Sequence, residues 1–275
     1  MRLVLLGGGT IARLVLEHLK RGELAGVEVV AVVGRTGASR GAALGREFRV
    51  PFVVGLDAAL EQKPDVVLEA ASHEAVHAHL IPLLEDGLSV IVLSAGALCD
   101  DGFRAKVESA AAQGGGLLYV PSGGIGGLDA LKGACAAGVD DVDDVSIRVA
   151  KPPAAWKGIP FVTDLGVDLD GLAAPKVLFS GPAREGVPHF PQNVNIAAVL
   201  SLAGIGFDRT KLEVVADPGL NRNTHTINVS GRTGRFQIVL ENVPSPENPK
   251  TAWLACYSAL AAVKVLHLRG VRYGT

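Results

Sequence analysis

The chain has 275 residues, with 26 Lys and Arg set against 28 Asp and Glu for a formal net charge of −2, and 48% of it is hydrophobic. That balance gives no electrostatic reason to expect nucleic acid or an anionic membrane surface as a partner, and no run approaches the ~20 apolar residues of a membrane span. The three cysteines, Cys99, Cys135 and Cys256, form no CxxC pair; together with the lack of a signal peptide, this argues against a disulfide framework or a structural zinc site and fits a soluble cytoplasmic protein.

Arg2–Leu6 is a short apolar run ending in Gly7-Gly8-Gly9, and Ile11, Leu14, Val15 and Leu19 then recur at helical spacing. Val27–Val33 is a second apolar run, rich in β-branched valine, as expected of a strand buried on both faces of a parallel sheet. Strands are expected at 50–54, 65–70, 88–94 and 116–120, and helices at 57–61, 74–84 and 102–112. Strands alternating with helices at this pace imply right-handed βαβ units and a doubly wound parallel sheet, an N-terminal Rossmann domain over residues 1–121. Beyond it the pattern changes. Strands at 145–150, 176–180, 212–216, 224–230 and 234–240, with helices at 129–137 and 194–203, predict an α+β substrate and catalytic domain over 122–244 with a mostly antiparallel sheet. A proline-rich connector opens at Val243, and the apolar helix 251–266, within the tail 245–275, is expected to pack back on the first domain.

Gly7-Gly8-Gly9-Thr10-Ile11-Ala12 fits the G-x-G-x-x-G/A pattern between a strand and a helix. Glycine is needed there because a tight turn must bring backbone N–H groups up to a pyrophosphate at the positive end of a helix. Gly7, Gly9, Thr10, Ile11 and Ala12 are therefore candidate dinucleotide contacts. An NAD-binding second strand usually ends in a carboxylate for the ribose 2′-OH. This one ends Val33-Gly34-Arg35-Thr36, and Arg35 suits a 2′-phosphate. The expected cofactor is NADP or NAD, with NADP accepted. Ser94 and Ala95 follow a strand end where the nicotinamide half would pass.

Downstream, Pro121–Leu131, Lys151-Pro-Pro, Phe190–Ala198, Ser201–Arg209, the Ala216-Asp-Pro segment running to Asn223-Thr-His225, and Asn248–Thr251 together resemble, in the same order, the L-aspartate dehydrogenase family. The resemblance implies reversible oxidative deamination of L-aspartate through iminoaspartate to oxaloacetate and ammonia, with hydride passing to nicotinamide C4. It also implies that His225 is catalytic and that Gly124 and Asn195 contact the dinucleotide. At Gly124 the family usually has alanine. A histidine suits proton transfer because its ordinary pKa is about 6.5. A substrate with two carboxylates calls for a fixed cation; Lys151, Arg184 and Lys250 are candidates, each equally readable as a surface or structural charge. Asn193 shapes the same loop as Asn195.

Two other readings compete. One is a different imine reductase on this scaffold, such as a dihydrodipicolinate reductase, whose paired-histidine and lysine motif is not apparent here. The other is a dinucleotide-binding sensor without turnover. His73 and His77 share one helical face beside Glu74, but no third ligand is evident nearby, so no metal is expected. Asp140, Asp141, Asp143 and Asp144 are expected to face water. A broad, half-solvated sheet is a common pairing surface, which makes a homodimer the expected assembly.

Overall fold

A computed structural model describes residues 1–245 and 248–268, with residues 248–251 described by backbone alone. The chain divides into two compact units. Of the described residues, 1–121 and 256–268 form the first, and those between 122 and 255 form the second.

In the first unit the elements follow as β1 (Arg2–Leu6), α1 (Thr10–Lys20), β2 (Glu28–Gly34), α2 (Arg40–Phe48), β3 (Phe52–Val54), α3 (Asp57–Leu60), β4 (Val66–Glu69), α4 (His73–Glu85), β5 (Ser89–Val92), α5 (Asp101–Gly114) and β6 (Leu118–Tyr119). All six strands are parallel, in the order β3-β2-β1-β4-β5-β6. The apolar runs form strands here because both faces of the sheet are covered. Leu3, Leu5, Val32, Leu68 and Ile91 pack with Ala12, Val15 and Leu16 of α1 and with Ala259, Leu260 and Val263. Each such side chain taken from water contributes about 1.5–3 kcal/mol. The order reverses between β1 and β4, and in open α/β sheets the crevice outside the strand ends at that reversal is the ligand site. The Rossmann expectation is met.

The second unit carries α6 (Leu128–Cys135), β7 (Val142–Lys151), α7 (Pro160–Asp164), β8 (Lys176–Pro182), α8 (Ala183–Gly186), α9 (Asn195–Ala203), β9 (Thr210–Ala216), β10 (Asn223–Gly231), β11 (Gly234–Asn242), β12 (Pro244–Ser245), β13 (Asn248–Ala252) and the start of α10 (Trp253–His267). Its main sheet runs β11-β10-β7-β9-β8. All neighbours pair antiparallel except β7 with β9, which are parallel. Burial alternates along the central strands. Val145, Ile147 and Val149 of β7 and Ile227 and Val229 of β10 are buried, while the residues between them reach solvent or half-burial. The outward face is polar and internally paired: Arg148 with Glu213, Lys211 with Asp144, and Gln237 with Asn228.

Several local expectations change. The connector after Val243 is built into a two-stranded ribbon, β12 with β13, a position that tolerates proline because an edge strand need not donate every N–H. Thr251 accordingly lies in a strand, and the last helix begins at Trp253. The short helices α7 and α8 were not expected; α7 starts on Pro160, where the missing N–H costs nothing. In the aspartate cluster Asp140 and Asp143 face water as expected, while Asp141 and Asp144 are half-buried beside Arg232 and Lys211.

Candidate active site

The glycine turn after β1 shows why it admits nothing larger. Gly7 has φ +115°, and a Cβ there would stand 2.6 Å from the Ala70 carbonyl oxygen. At Gly8 a Cβ would stand 2.2 Å from the Gly41 nitrogen. Gly9, by contrast, faces open space and caps α1 with no side-chain hydrogen bond, and the first turn of α1 holds no acidic residue. The first N–H groups of α1 are therefore not satisfied by a side chain of the cap, and the local field is positive. These residues fit a dinucleotide pyrophosphate. Arg35 is exposed just past the end of β2, next to Thr36, whose N–H donates to Ser39 Oγ at 3.1 Å.

In the second unit, three strands end their buried face on polar residues at the same end of the sheet. The buried series of β7, Val145-Ile147-Val149, finishes on Lys151. That of β10 begins with Asn223 and His225, and β11 finishes on Asn242. All four are buried, at 3%, 2%, 3% and 6% exposure. His225 lies opposite Val149 on one side and Leu240 on the other, which makes Lys151 and Asn242 its diagonal neighbours on the same face. Lys151 Nζ donates to the carbonyl oxygen of Asn193 at 3.3 Å and to its Oδ1 at 3.2 Å, and lies 5.2 Å from the centre of the Trp156 ring.

The hydrogen bonds define the state of the imidazole. Gly124 O lies 3.1 Å from His225 Nδ1 and accepts from Asn242 Nδ2 at 2.8 Å. Asn242 Nδ2 also lies 3.1 Å from Nδ1, but it makes its shorter bond to Gly124 O; a carbonyl can only accept, so its contact with the ring is a hydrogen bond with the proton on Nδ1, the tautomer assigned here. Nε2 is then a bare lone pair, and it is buried with no hydrogen-bond partner in the protein. Burial, followed by the charge of Lys151, holds the His225 pKa down at about 4, against a small upward pull from Gly124. The ring is thus a neutral, oriented base at neutral pH. Gly124 acts through its carbonyl, and a Cβ there would meet His225 Cε1 at 3.5 Å and Asn242 Nδ2 at 3.6 Å, ordinary contact. The alanine common in the family fits the same backbone.

The remaining candidates separate clearly. Asn193, expected only to shape a loop, is buried against Lys151, while Asn195 is half-buried at the start of α9 and donates to Pro191 O at 3.1 Å. Lys151, left open as a surface charge, is buried beside the histidine. Arg184 is bonded to Asp208 at 2.5 and 2.7 Å. The side chain of Lys250 lies outside the described residues. His73 opens α4, and His77 packs on Phe103 with ring centres 4.3 Å apart. Among the described residues no three His, Cys, Asp or Glu side chains gather as metal ligands. Sequence reasoning missed Asn242 and Glu69. A signal for Asn242 was present: continuing the period of two along Phe236, Ile238 and Leu240 lands on it.

A glycine-turn Rossmann sheet carried in one chain with a second sheet that buries an oriented imidazole defines a nicotinamide-dependent oxidoreductase. The family profile for the aspartate dehydrogenase C-terminal domain matches residues 129–266, and that for the NAD-binding domain of homoserine dehydrogenase matches residues 7–121. The chain is 47% identical to an L-aspartate dehydrogenase 2 of Bordetella pertussis over 78% of its length and 79% of the relative's. It is 46% identical to the L-aspartate dehydrogenase of Methanosarcina acetivorans over 77% of its length and 76% of the relative's. The crystal structure of aspartate dehydrogenase from Thermotoga maritima superposes with a TM-score of 0.73 at 27% identity, covering 99% of both chains. This chain belongs to the aspartate dehydrogenase family, as its sequence motifs implied.

Proposed function

We propose that the chain catalyses the reversible, NAD(P)-dependent oxidative deamination of L-aspartate to oxaloacetate and ammonia through iminoaspartate. The observation that carries this reading is the Nε2 lone pair of His225, left bare while Gly124 fixes the other ring nitrogen. The dinucleotide, when bound, takes the hydride at nicotinamide C4; the chain must orient it and manage protons.

His225 takes a proton at Nε2, either from the substrate ammonium or from the water that attacks the imine. Gly124 O holds the ring in the tautomer this requires, with Asn242 sharing that acceptor. Burial first, and then the charge of Lys151, keeps the ring unprotonated, and Lys151 supplies the cation that a dicarboxylate substrate calls for. The resemblance further assigns Gly124 and Asn195 to the dinucleotide, and Gly7, Gly9, Thr10, Ile11 and Ala12 to its pyrophosphate. Arg35, where NAD enzymes carry a carboxylate, favours NADP.

The direct test mixes the protein with oxaloacetate, ammonia and NADPH or NADH and follows the reduced-nicotinamide absorbance. Loss of absorbance that requires all three components, and that fails in a His225→Asn variant, is expected. Wild-type turnover by that variant overturns the assignment. The same reading takes the protein as cytoplasmic: the cysteines are unbridged, and among the described residues no helix is long and apolar enough to cross a membrane. It also takes the assembly as a homodimer, supported by the outward polar face of the five-stranded sheet. A sedimenting species of monomer mass at every concentration would remove that part.

A further inference from the structure

The first unit buries a carboxylate that the proposed proton chemistry does not use. Glu69 is the last residue of β4 and is 2% exposed. Its Oε1 accepts from the N–H of Ala71 at 2.7 Å, the N–H of Ser72 at 3.0 Å and the hydroxyl of Ser94 at 2.8 Å. Its Oε2 accepts from the N–H of Leu93 at 3.2 Å and of Ser94 at 3.0 Å. Burial raises this carboxyl above its ordinary range, and the N–H groups of Ser94 and Ala71 oppose that rise without cancelling it. The donor set suits an anion: four of the five donors are backbone N–H groups, which cannot accept. Each oxygen faces at least two donors, so a proton on either oxygen, or an amide NH2 in place of one, would meet N–H groups head on.

The segments held in this way are the turns that follow β4 and β5. Ser72 also caps α4, accepting from the N–H of Ala75 at 3.3 Å. The Gly7 turn is seated on the same segment, against the Ala70 carbonyl. In a sheet ordered β3-β2-β1-β4-β5-β6, the half led by β1 and β2 takes the adenosine side of a dinucleotide and the half led by β4 and β5 takes the nicotinamide side. Glu69, buried at the ends of β4 and β5, therefore stands on the nicotinamide side, while the N-terminus of α1, with no side-chain cap, stands on the phosphate side.

We propose that Glu69 is a positioning residue with two effects: it clamps the two turns that border the nicotinamide, and its buried negative charge favours the oxidised, cationic nicotinamide over the neutral reduced one. The inference rests on the dinucleotide reading of the first unit but not on aspartate as substrate. Five donors spread the carboxylate charge without cancelling it, and a buried charge is screened less than one in water. A positive ring near it is stabilised and a neutral ring is not.

The test measures dissociation constants of NADP+ and NADPH, and of NAD+ and NADH, by calorimetry and by reduced-nicotinamide fluorescence, in the wild type, Glu69→Gln and Glu69→Asp. Glu69→Gln keeps the length of the side chain and removes the charge, and its NH2 also loosens the turns by facing N–H donors, a loss that falls on both redox forms alike. It should weaken the oxidised form roughly tenfold more than the reduced form. Glu69→Asp keeps the charge with a shorter reach and should weaken both forms about equally, leaving their ratio at the wild-type value. If Glu69→Gln weakens both forms alike, or neither, Glu69 is only a structural clamp and the proposal fails. Should Glu69→Gln not fold, Glu69→Asp decides: a ratio that moves toward the reduced form overturns the charge argument. A wild type that binds none of the four dinucleotides sinks the nucleotide reading itself, which is a different outcome.

Discussion

The two units solve one problem, how to hold a polar group at a strand end, in opposite ways. In the first, the working parts are backbone. The Gly7–Gly9 turn presents N–H groups, and the buried carboxylate of Glu69 accepts from backbone N–H groups and from the Ser94 hydroxyl within 25 residues of it. In the second, the working parts are side chains. His225, Asn242, Lys151 and Asn193 come from four separate segments, and the His225–Gly124 bond closes over 101 residues. A backbone site survives most side-chain changes outside its glycines, whereas a site assembled from side chains can be dismantled one residue at a time. The comparison teaches where this enzyme is fragile.

The largest effect is expected where the second unit is cut at its centre. His225→Asn should lower kcat by ~10²-fold or more, the usual cost of losing a general base, with dinucleotide affinity measured by fluorescence left near wild type. If affinity and turnover fell together, the separation of roles between the two units would fail.

A smaller effect is expected at the edge of the first unit. Arg35→Ala should lower kcat/KM with NADP by about tenfold, the scale of one charge-assisted bond, and leave the value with NAD unchanged. Equal losses with both cofactors would mean that Arg35 does not read the 2′ position.

Proton chemistry sharpens the contrast further. Because His225 is held at about 4, the acid limb of kcat/KM should fall near pH 4. In Lys151→Met it should move upward, toward the ordinary histidine value of about 6.5. The same shift bears on stability. Between about pH 6.5 and pH 4 the unfolded chain binds the proton and the folded one does not, so stability falls as pH falls through that window. Urea titrations of the wild type and His225→Gln across it should show a steeper loss in the wild type.

The mildest change should come from Gly124→Ala. Its Cβ meets only ordinary contacts, so activity should stay within about threefold and the melting temperature should hold or rise, consistent with the ~0.4–1 kcal/mol gained when a flexible glycine is replaced at a compatible position. A loss like that of His225→Asn would show that the carbonyl geometry at Gly124 depends on glycine.

The parallel sheet, the glycine turn and the dinucleotide class were legible because their information is contiguous. Apolar runs of strand length, helical spacing and three glycines in a row act over a few residues, and α/β connection rules leave few ways to assemble them. His225 was legible as a residue type in a family-like segment, but its protonation state was not. What only the tertiary structure decided is which polar residues meet: that Asn242 and not a carboxylate shares the acceptor of the imidazole, that Lys151 is buried beside the ring, and that Glu69 is wrapped in donors. The physical reason is that strand register pairs residues far apart in the chain. A pattern with a period of two says which face a side chain takes and nothing about the neighbour it finds there.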